Sequence, residues 1–152
     1  MKLAEALMLR ADYQKRAEQL KQRLNQNAKV QEGDTPAENP ADLLAELERI
    51  AGDLVSLIQR INRTNSATLL EGAQTLADAL AERDVLQLRL GAYRELAQAA
   101  SITPTRATRS EVKFHSTVNV GEVQQEADRL AKAYRELDAR IQAANWLTEV
   151  LE

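Results

Sequence analysis

Apolar side chains recur along this chain in alternating steps of three and four residues, the spacing of one face of an amphipathic α-helix. The pattern is most regular in a segment for which we predict a helix from Pro40 to about Ile61. Leucine and isoleucine occupy every expected position of that segment: Leu43, Leu47, Ile50, Leu54, Leu57 and Ile61. Asn39 before Pro40 predicts its start, because asparagine caps helices and proline fits the first helical position.

Three further segments have a similar helical rhythm. The first predicted helix runs from about Lys2 to about Lys29, with Ala6, Tyr13 and Leu20 in steps of seven. The third runs from about Leu69 to Ala100. The last follows Asn119, which with Glu122 three residues later resembles a capping box, and extends almost to the end. Heptad steps of this kind are also typical of coiled coils.

Two polar segments predict the connections between these helices. Residues 31–39 combine Gly33 and Pro36 with acids and amides, which predicts a solvated, mobile loop. Residues 61–68 read INRTNSAT, and amide and hydroxyl side chains favour turns because they compete for backbone hydrogen bonds. A connection there would make the second and third helices antiparallel neighbours.

Residues 105–119 have a different pattern, which predicts an extended arm. Val112, Phe114, Ser116 and Val118 alternate with more polar residues, and a period of two is typical of a strand. We predict a short β-strand or hairpin near residues 106–118, the only β structure expected in the chain. Its pairing stays open: residues 105–110 could fold back on 112–118, or strands could pair between subunits.

The predicted fold class is mainly α: a long-helix antiparallel bundle of about four helices, forming a single domain over residues 1–152. Four helices could bury their stripes against one another in a monomer. However, their unequal lengths and the unpartnered strand favour self-association, because exposed apolar surface and strand edges are both unfavourable in water. We therefore expect a homo-oligomer, either a dimer or a multiple of dimers.

Charge and composition exclude several classes of function. The chain has 152 residues, 20 basic and 23 acidic side chains, a net charge of −3 and no cysteine. Interspersed charges argue against a nucleic-acid partner, and the absence of cysteine excludes disulfides and thiolate metal sites. With no export signal and no long apolar run, a cytoplasmic location is expected and membrane association is not.

The candidate ligand site consists of Asn62, Asn65, Arg83 and Asp84. Arg83 falls on the apolar series of the third helix, where a charged group needs a carboxylate or amide partner. One interpretation is a polar pocket that binds a small molecule of unknown identity. The other is a turn together with one structural ion pair that fixes the helix register.

No residue pattern predicts catalysis, a metal or a cofactor. His115 is the only histidine, and the alternation places it on the polar face of the predicted strand without a nucleophile or further metal ligands nearby. Glu71, Asp78 and Glu82 share helical spacing, but a di-metal centre would require Glu-x-x-His pairs, which the chain lacks. We therefore expect a protein that is not an enzyme.

Several short strings give the chain a resemblance to a known family. They are INRTNS at 61–66, DALAERD at 78–84, TVNV at 117–120, YRELD at 134–138 and Asn145-Trp146. In these strings the chain resembles an uncharacterised bacterial helical family, some members of which are named septicolysin. The resemblance implies a small, mainly helical bacterial protein of unassigned role, and the name suggests a pore-forming cytolysin. It implies no functional residues.

Three functions follow as hypotheses. The leading one is a non-enzymatic oligomeric protein that acts through protein–protein contacts. The second is a septicolysin-like, membrane-active protein, for which the alternating segment at 110–120 is the candidate pore strand. The third is a small-molecule binder with a polar pocket near Asn62 and Arg83.

Overall fold

A computed structural model describes residues 1–101 and 112–152, and this part of the chain contains four helices and one small sheet. The helices are α1 (Leu3–Gln26), α2 (Pro40–Ala67), α3 (Leu76–Ala100) and α4 (Val120–Leu147). Strands β1 (Leu69–Leu70) and β2 (Gln74–Thr75) pair in a two-stranded antiparallel sheet. The predicted mainly α class with about four helices is confirmed.

The chain divides into two compact units. The first contains Met1–Leu69 and Gln142–Glu152, and the second contains Leu70–Ile141. Each unit has its own cluster of buried apolar residues, described separately below. The single domain over residues 1–152 stays a prediction.

The first unit is built on α1 and α2. Their shared core consists of Leu20, Leu43 and Ile50, packed against partly buried neighbours. Leu20, near the end of α1, meets Leu43, near the start of α2, so the two helices run antiparallel. This is the arrangement that the helical rhythm of both segments predicts, because each helix buries its apolar stripe against the other.

Two ends of the chain pair within the first unit. The Leu3 N–H donates to the Thr148 carbonyl, and the Val150 N–H donates to the Met1 carbonyl, each at 2.9 Å. Lys2 and Glu149 form the antiparallel bridge between these bonds. Leu3 and Val150 are buried there. The sequence patterns do not predict this pairing, which joins residues far apart in the sequence.

The second unit is built on α3 and the first part of α4. Leu90 from α3 packs with Ala127, Leu130 and Ala131 from α4, and Leu86 and Tyr93 cover the cluster. The ion pairs that join Arg83 to Asp138 and Arg89 to Glu126 set an antiparallel register, since the earlier residue of α3 meets the later residue of α4.

The predicted connection at residues 61–68 is wrong, because α2 continues through Ala67. The polar side chains at the end of α2 are compatible with helix for a specific reason. The Thr64 hydroxyl is buried and donates to the Arg60 carbonyl at 2.7 Å, four residues earlier, so it does not compete with the helical backbone.

The connection between α2 and α3 is instead the β1–β2 hairpin. Residues 69–75 were predicted as helix because Leu69 and Leu76 lie seven apart. Glu71 and Gly72 have φ angles of 52° and 72°, and two consecutive left-handed residues cannot continue a right-handed helix. α3 therefore starts at Leu76, where the Thr75 hydroxyl caps the helix by accepting from the Asp78 N–H at 3.1 Å.

The β structure predicted near residues 106–118 is not found in the part that the structure describes. Residues 112–118 have neither strand nor helix, and residues 102–111 lie outside the described ranges. Val112 and Phe114 are both exposed. Their alternation with polar residues therefore does not correspond to a buried face. The extended arm at 105–119 stays a prediction.

The loop before α2 is anchored near both of its ends. Asn27 accepts from the Glu38 N–H at 3.0 Å, and the Arg23 guanidinium donates to the Glu38 carboxylate. The Asn39 side chain accepts from the Ala41 N–H at 3.0 Å, which confirms the predicted start of α2 at Pro40. The mobility of residues 31–39 stays a prediction.

Candidate functional site

Asn62 and Asn65 lie on the last two turns of α2, within the first unit. Asn62 is exposed and Asn65 is half-buried. Asn62 borders an open depression of about 480 Å³, whose other lining residues are Arg63, Ser66, Ala67 and Leu151. The two amides thus lie on a helix rather than in the predicted turn.

Thr64 is the buried polar group of this region. Besides donating to the Arg60 carbonyl, its hydroxyl oxygen accepts from the Leu151 N–H at 3.0 Å. Arg60 adds a second link, because its Nε donates to the Leu151 carbonyl at 3.1 Å. These bonds fasten the segment after α4 to the end of α2. Thr64 therefore has a structural role that sequence analysis missed.

Arg83 and Asp84 lie on α3, within the second unit. The Arg83 Nη1 lies 2.9 Å from the Asp138 Oδ1, with 23% and 33% of the two side chains exposed. Of the two kinds of partner expected for Arg83, a carboxylate or an amide, the structure therefore has the carboxylate. Asp84 is exposed, with a carboxylate oxygen 3.9 Å from the Arg83 Nε. Asp138 lies on α4 directly after the buried Leu137, and this position beside a core residue was the only sequence signal for the partner.

The four predicted site residues divide between the units. Asn62 and Asn65 belong to the first, and Arg83 and Asp84 belong to the second. The polar pocket that would contain all four residues stays a prediction.

A groove between α3 and α4 is a second candidate site, which the sequence patterns do not predict. Its volume is about 380 Å³, within the range typical of small-molecule pockets. Leu90, Gly91 and Ala131 contribute apolar and small positions to its lining. Its polar lining includes Arg94, Tyr134 and Arg135. All of these residues belong to the second unit.

Gly91 lies inside α3, where glycine costs about 1 kcal/mol relative to alanine. Neither packing nor backbone conformation requires it. A Cβ atom built there would have no neighbour within 4 Å, and Gly91 does not have the positive φ angle found at Gly72. Its effect is to leave one side of the groove without a side chain.

The remaining candidate residues are not brought together. His115 is exposed on a segment without strand structure. Glu71 pairs with Arg140 at 3.3 Å, and Glu82 accepts from the Gln74 amide at 3.2 Å. Within residues 1–101 and 112–152, no three histidine, aspartate or glutamate side chains are grouped closely enough to hold a metal ion.

Within the described part of the chain, the carboxyl groups whose pKa departs from its ordinary value are in surface ion pairs. Hydrogen bonds from Arg23 lower the pKa of Glu38, and hydrogen bonds from Arg129 lower the pKa of Glu126. Lys2 and the N-terminal amine similarly lower the pKa of Glu149. These groups are stabilised in their charged form by neighbouring cations, which is the pattern of structural ion pairs rather than of a general acid.

Comparison with known proteins places the chain in a family. Residues 10–150 match the family described as "Family of unknown function (DUF6847)". The chain belongs to DUF6847. It is similar to a crystal structure described as a functionally unknown conserved protein from Corynebacterium diphtheriae. The two share 46% sequence identity over 99% of each chain, with a TM-score of 0.94. No curated protein matches.

The DUF6847 assignment supports the coarse part of the resemblance, an uncharacterised helical family, and nothing in the comparisons refers to septicolysin. In the described ranges of this DUF6847 protein, no helix is both long enough and apolar enough to cross a bilayer.

Proposed function

We propose that this protein has no enzymatic chemistry of its own and acts through protein contacts, beginning with a second copy of itself bound along α3. The observation that carries the proposal is an exposed row of apolar residues, here called the α3 stripe. It consists of Ala81, Val85, Leu88, Ala92 and Leu96. The exposed fraction is 54% for Val85 and 74% for Leu88.

The α3 stripe lies on the side of the helix away from its own unit. At 100° per residue its five positions fall within an arc of about 80°. The buried positions of α3, which are Leu76, Ala79, Leu90 and Ala97, project from the opposite side. α3 is therefore apolar on two faces, and only one of them is covered within its unit. A helix with a second apolar face is typical of one that packs between two neighbours.

Charges beside the α3 stripe make it complementary to itself. Glu82 and Arg89 lie seven residues apart on the same flank, on either side of the centre formed by Val85 and Leu88. If two copies of α3 pair antiparallel about the midpoint between residues 82 and 89, Glu82 of each copy comes opposite Arg89 of the other, and Ala81, Val85 and Leu88 of each copy lie in the overlap. A two-fold axis forms this ion pair twice, as expected of an isologous dimer.

The size of the α3 stripe suggests a weak dimer. In this register Ala81, Val85 and Leu88 of each copy meet over roughly 10 Å of helix, so the buried area would be at the low end for specific interfaces. We expect dissociation constants in the micromolar range, about −8 kcal/mol at 1 μM. The dimer should therefore form at tens of micromolar and dissociate on dilution.

Light scattering coupled to size-exclusion chromatography tests the proposal. Leu88→Glu places a charge at the centre of the α3 stripe and should give a monomer. Leu44→Glu, at an exposed leucine of α2, is the matched control and should leave the dimer intact. At a protein concentration of about 1 mM, light scattering would detect a dimer with an association free energy of only about −4 kcal/mol. A wild-type protein that is monomeric at this concentration would contradict the proposal.

Charge exchange tests the antiparallel register itself. Glu82→Arg alone and Arg89→Glu alone each create two like-charge pairs in a homodimer and should weaken it. Arg89→Glu also removes the 3.9 Å contact of Arg89 with Glu126 in its own unit, so the melting temperature of each variant is measured together with its association. Mixing the two variants creates only opposite-charge pairs and should restore association as a heterodimer. If mixing restores nothing while Leu88→Glu still abolishes the dimer, the interface is correct and the register is not.

A membrane-active role is the second candidate, and the exposure of Val112 and Phe114 favours it. Both are large apolar side chains on a non-helical segment, where they could enter a lipid surface. Dye release from vesicles of neutral and of anionic lipid tests it, with Phe114→Ser as the variant. Absence of leakage from both kinds of vesicle would remove this candidate.

A further inference from the structure

The groove between α3 and α4 has the composition of a site for a small organic anion. Leu90, Gly91 and Ala131 offer a surface that an apolar group can contact. Arg94 and Arg135 offer planar guanidinium groups, which bind carboxylates and phosphates through paired hydrogen bonds. Tyr134 adds a hydroxyl donor. Such a mixture of apolar walls and a few polar groups is typical of ligand pockets.

The ion pairing of the other arginines on α3 and α4 makes the two groove arginines distinct. Arg83, Arg89, Arg129 and Arg140 each lie within 4.0 Å of a carboxylate oxygen. Within the described part of the chain, Arg94 and Arg135 have no such partner. The other four arginines of α3 and α4 are thus paired with carboxylates, whereas Arg94 and Arg135 are two cations that line the same groove. An anionic ligand would complete the pairing.

Gly91 provides an independent argument. Packing does not require the glycine, and helix formation disfavours it, yet it lies where any side chain would extend into open space. The residue keeps the groove open between the apolar positions and Arg94.

We propose that the groove between α3 and α4 binds a small organic anion. Its carboxylate or phosphate group lies between Arg94 and Arg135, and its apolar part rests against Leu90, Gly91 and Ala131. This proposal does not depend on the α3 stripe, because the groove is formed by the side of α3 that faces α4.

Isothermal titration with phenyl phosphate tests the proposal, because this probe combines a phosphate with an apolar ring. We expect saturable binding to the wild-type protein with a dissociation constant near 1 mM or below. Inorganic phosphate, which lacks the ring, should bind several-fold more weakly. Benzyl alcohol, which lacks the charge, should not bind. No saturable binding of phenyl phosphate at about 10 mM would overturn the proposal.

Matched variants separate the groove from general electrostatic attraction. Arg135→Gln should weaken phenyl phosphate binding about tenfold. Arg63→Gln, at an exposed arginine of α2 that also lacks an ion pair in the described ranges, should leave binding unchanged. Equal losses in the two variants would mean non-specific attraction and would overturn the proposal.

Gly91→Ala and Gly91→Leu test the role of open space while reporting on folding. Gly91→Ala should raise the melting temperature by a few degrees, because alanine favours helix. Gly91→Leu should fold and should abolish binding. Unchanged affinity in a folded Gly91→Leu variant would contradict the proposed position of the ligand. The titration repeated with Leu88→Glu should give the wild-type affinity, which makes the outcome independent of dimer formation.

Discussion

At the scale of single residues, Thr64 shows how a side chain that favours turns can stabilise a helix. Its hydroxyl has a helical carbonyl to donate to and the Leu151 N–H to accept from, and the side chain is fully buried. A buried hydroxyl without partners would destabilise the fold, whereas one with two partners links the segments that provide them. Thr64 thus links the end of α2 to the segment after α4.

Thr64→Val tests this role, because valine has nearly the same shape and lacks the hydroxyl. We expect the free energy of unfolding in urea to fall by about 1–3 kcal/mol, since the buried partners lose their hydrogen bonds. Thr117→Val makes the same change at an exposed position and should alter stability by less than about 0.5 kcal/mol. Equal effects of the two variants would contradict a structural role for the Thr64 hydroxyl.

The ion pair between Arg23 and Glu38 predicts a dependence of stability on pH. Hydrogen bonding to Arg23 lowers the pKa of Glu38 in the folded protein below its value in the unfolded chain. The pair therefore stabilises the fold above the unfolded pKa of about 4.3, and the contribution is lost as pH falls through the lower folded pKa. Because the pair is exposed, we expect a small effect.

Glu38→Gln measures this contribution. The variant should be less stable than wild type at pH 7, and the difference should shrink as the pH falls below about 4, where protonation removes the charge in wild type as well. Glu32→Gln changes a neighbouring acid that has no ion pair in the described ranges and should show no such trend. A difference that grows toward acid pH would show that the sign of the argument is wrong.

At the scale of elements, local sequence accounts for the start of each capped helix. Asn39, Thr75 and Asn119 each accept a backbone hydrogen bond from the first turn that follows. The starts at Asn39 and Asn119 were predicted from the side chains alone, because a cap acts over two or three residues. The start at Thr75 was missed, because the leucine spacing extended the predicted helix across the hairpin.

Asn39→Ala should lower the free energy of unfolding by about 1 kcal/mol, because it removes the acceptor for the Ala41 N–H. Asn39→Asp keeps an acceptor at the same position and should retain most of the stability. Urea denaturation followed by circular dichroism measures both. If Asn39→Asp were as destabilising as Asn39→Ala, the cap would not be the cause.

The hairpin shows where local reasoning is insufficient at this scale. Leu69 and Leu76 are seven residues apart, yet Leu70 is the buried residue of β1 and Leu76 is the first residue of α3. The signal against a helix was Gly72 beside Glu71, and glycine also occurs inside α3 at Gly91. Glycine therefore occurs in a turn at Gly72 and beside a groove inside a helix at Gly91. The residue type alone does not distinguish these two environments.

At the scale of the whole molecule, the chain forms two compact units, and each feature described above belongs to one of them. Arg83 forms its ion pair with Asp138 inside the second unit. The pairing of the chain's ends and the core of α1 with α2 belong to the first unit. The proposed dimer and the proposed anion site both use α3, on two different sides. That helix is consequently where variants are most informative about function.

The sequence by itself determined that this protein is mainly α, where α2 and α4 begin, and that Arg83 needs a carboxylate or amide partner. The helical class and the helix starts depend on the period of apolar side chains and on caps, which are local properties, and the requirement at Arg83 follows because burial of an unpaired charge is unfavourable. Only the tertiary structure decided that α2 continues through Ala67, that Asp138 is the partner, and that Arg94, Arg135 and Gly91 line one groove. Those outcomes depend on which segments, distant in the sequence, pack against one another. The spacing of residues along the chain does not determine that packing.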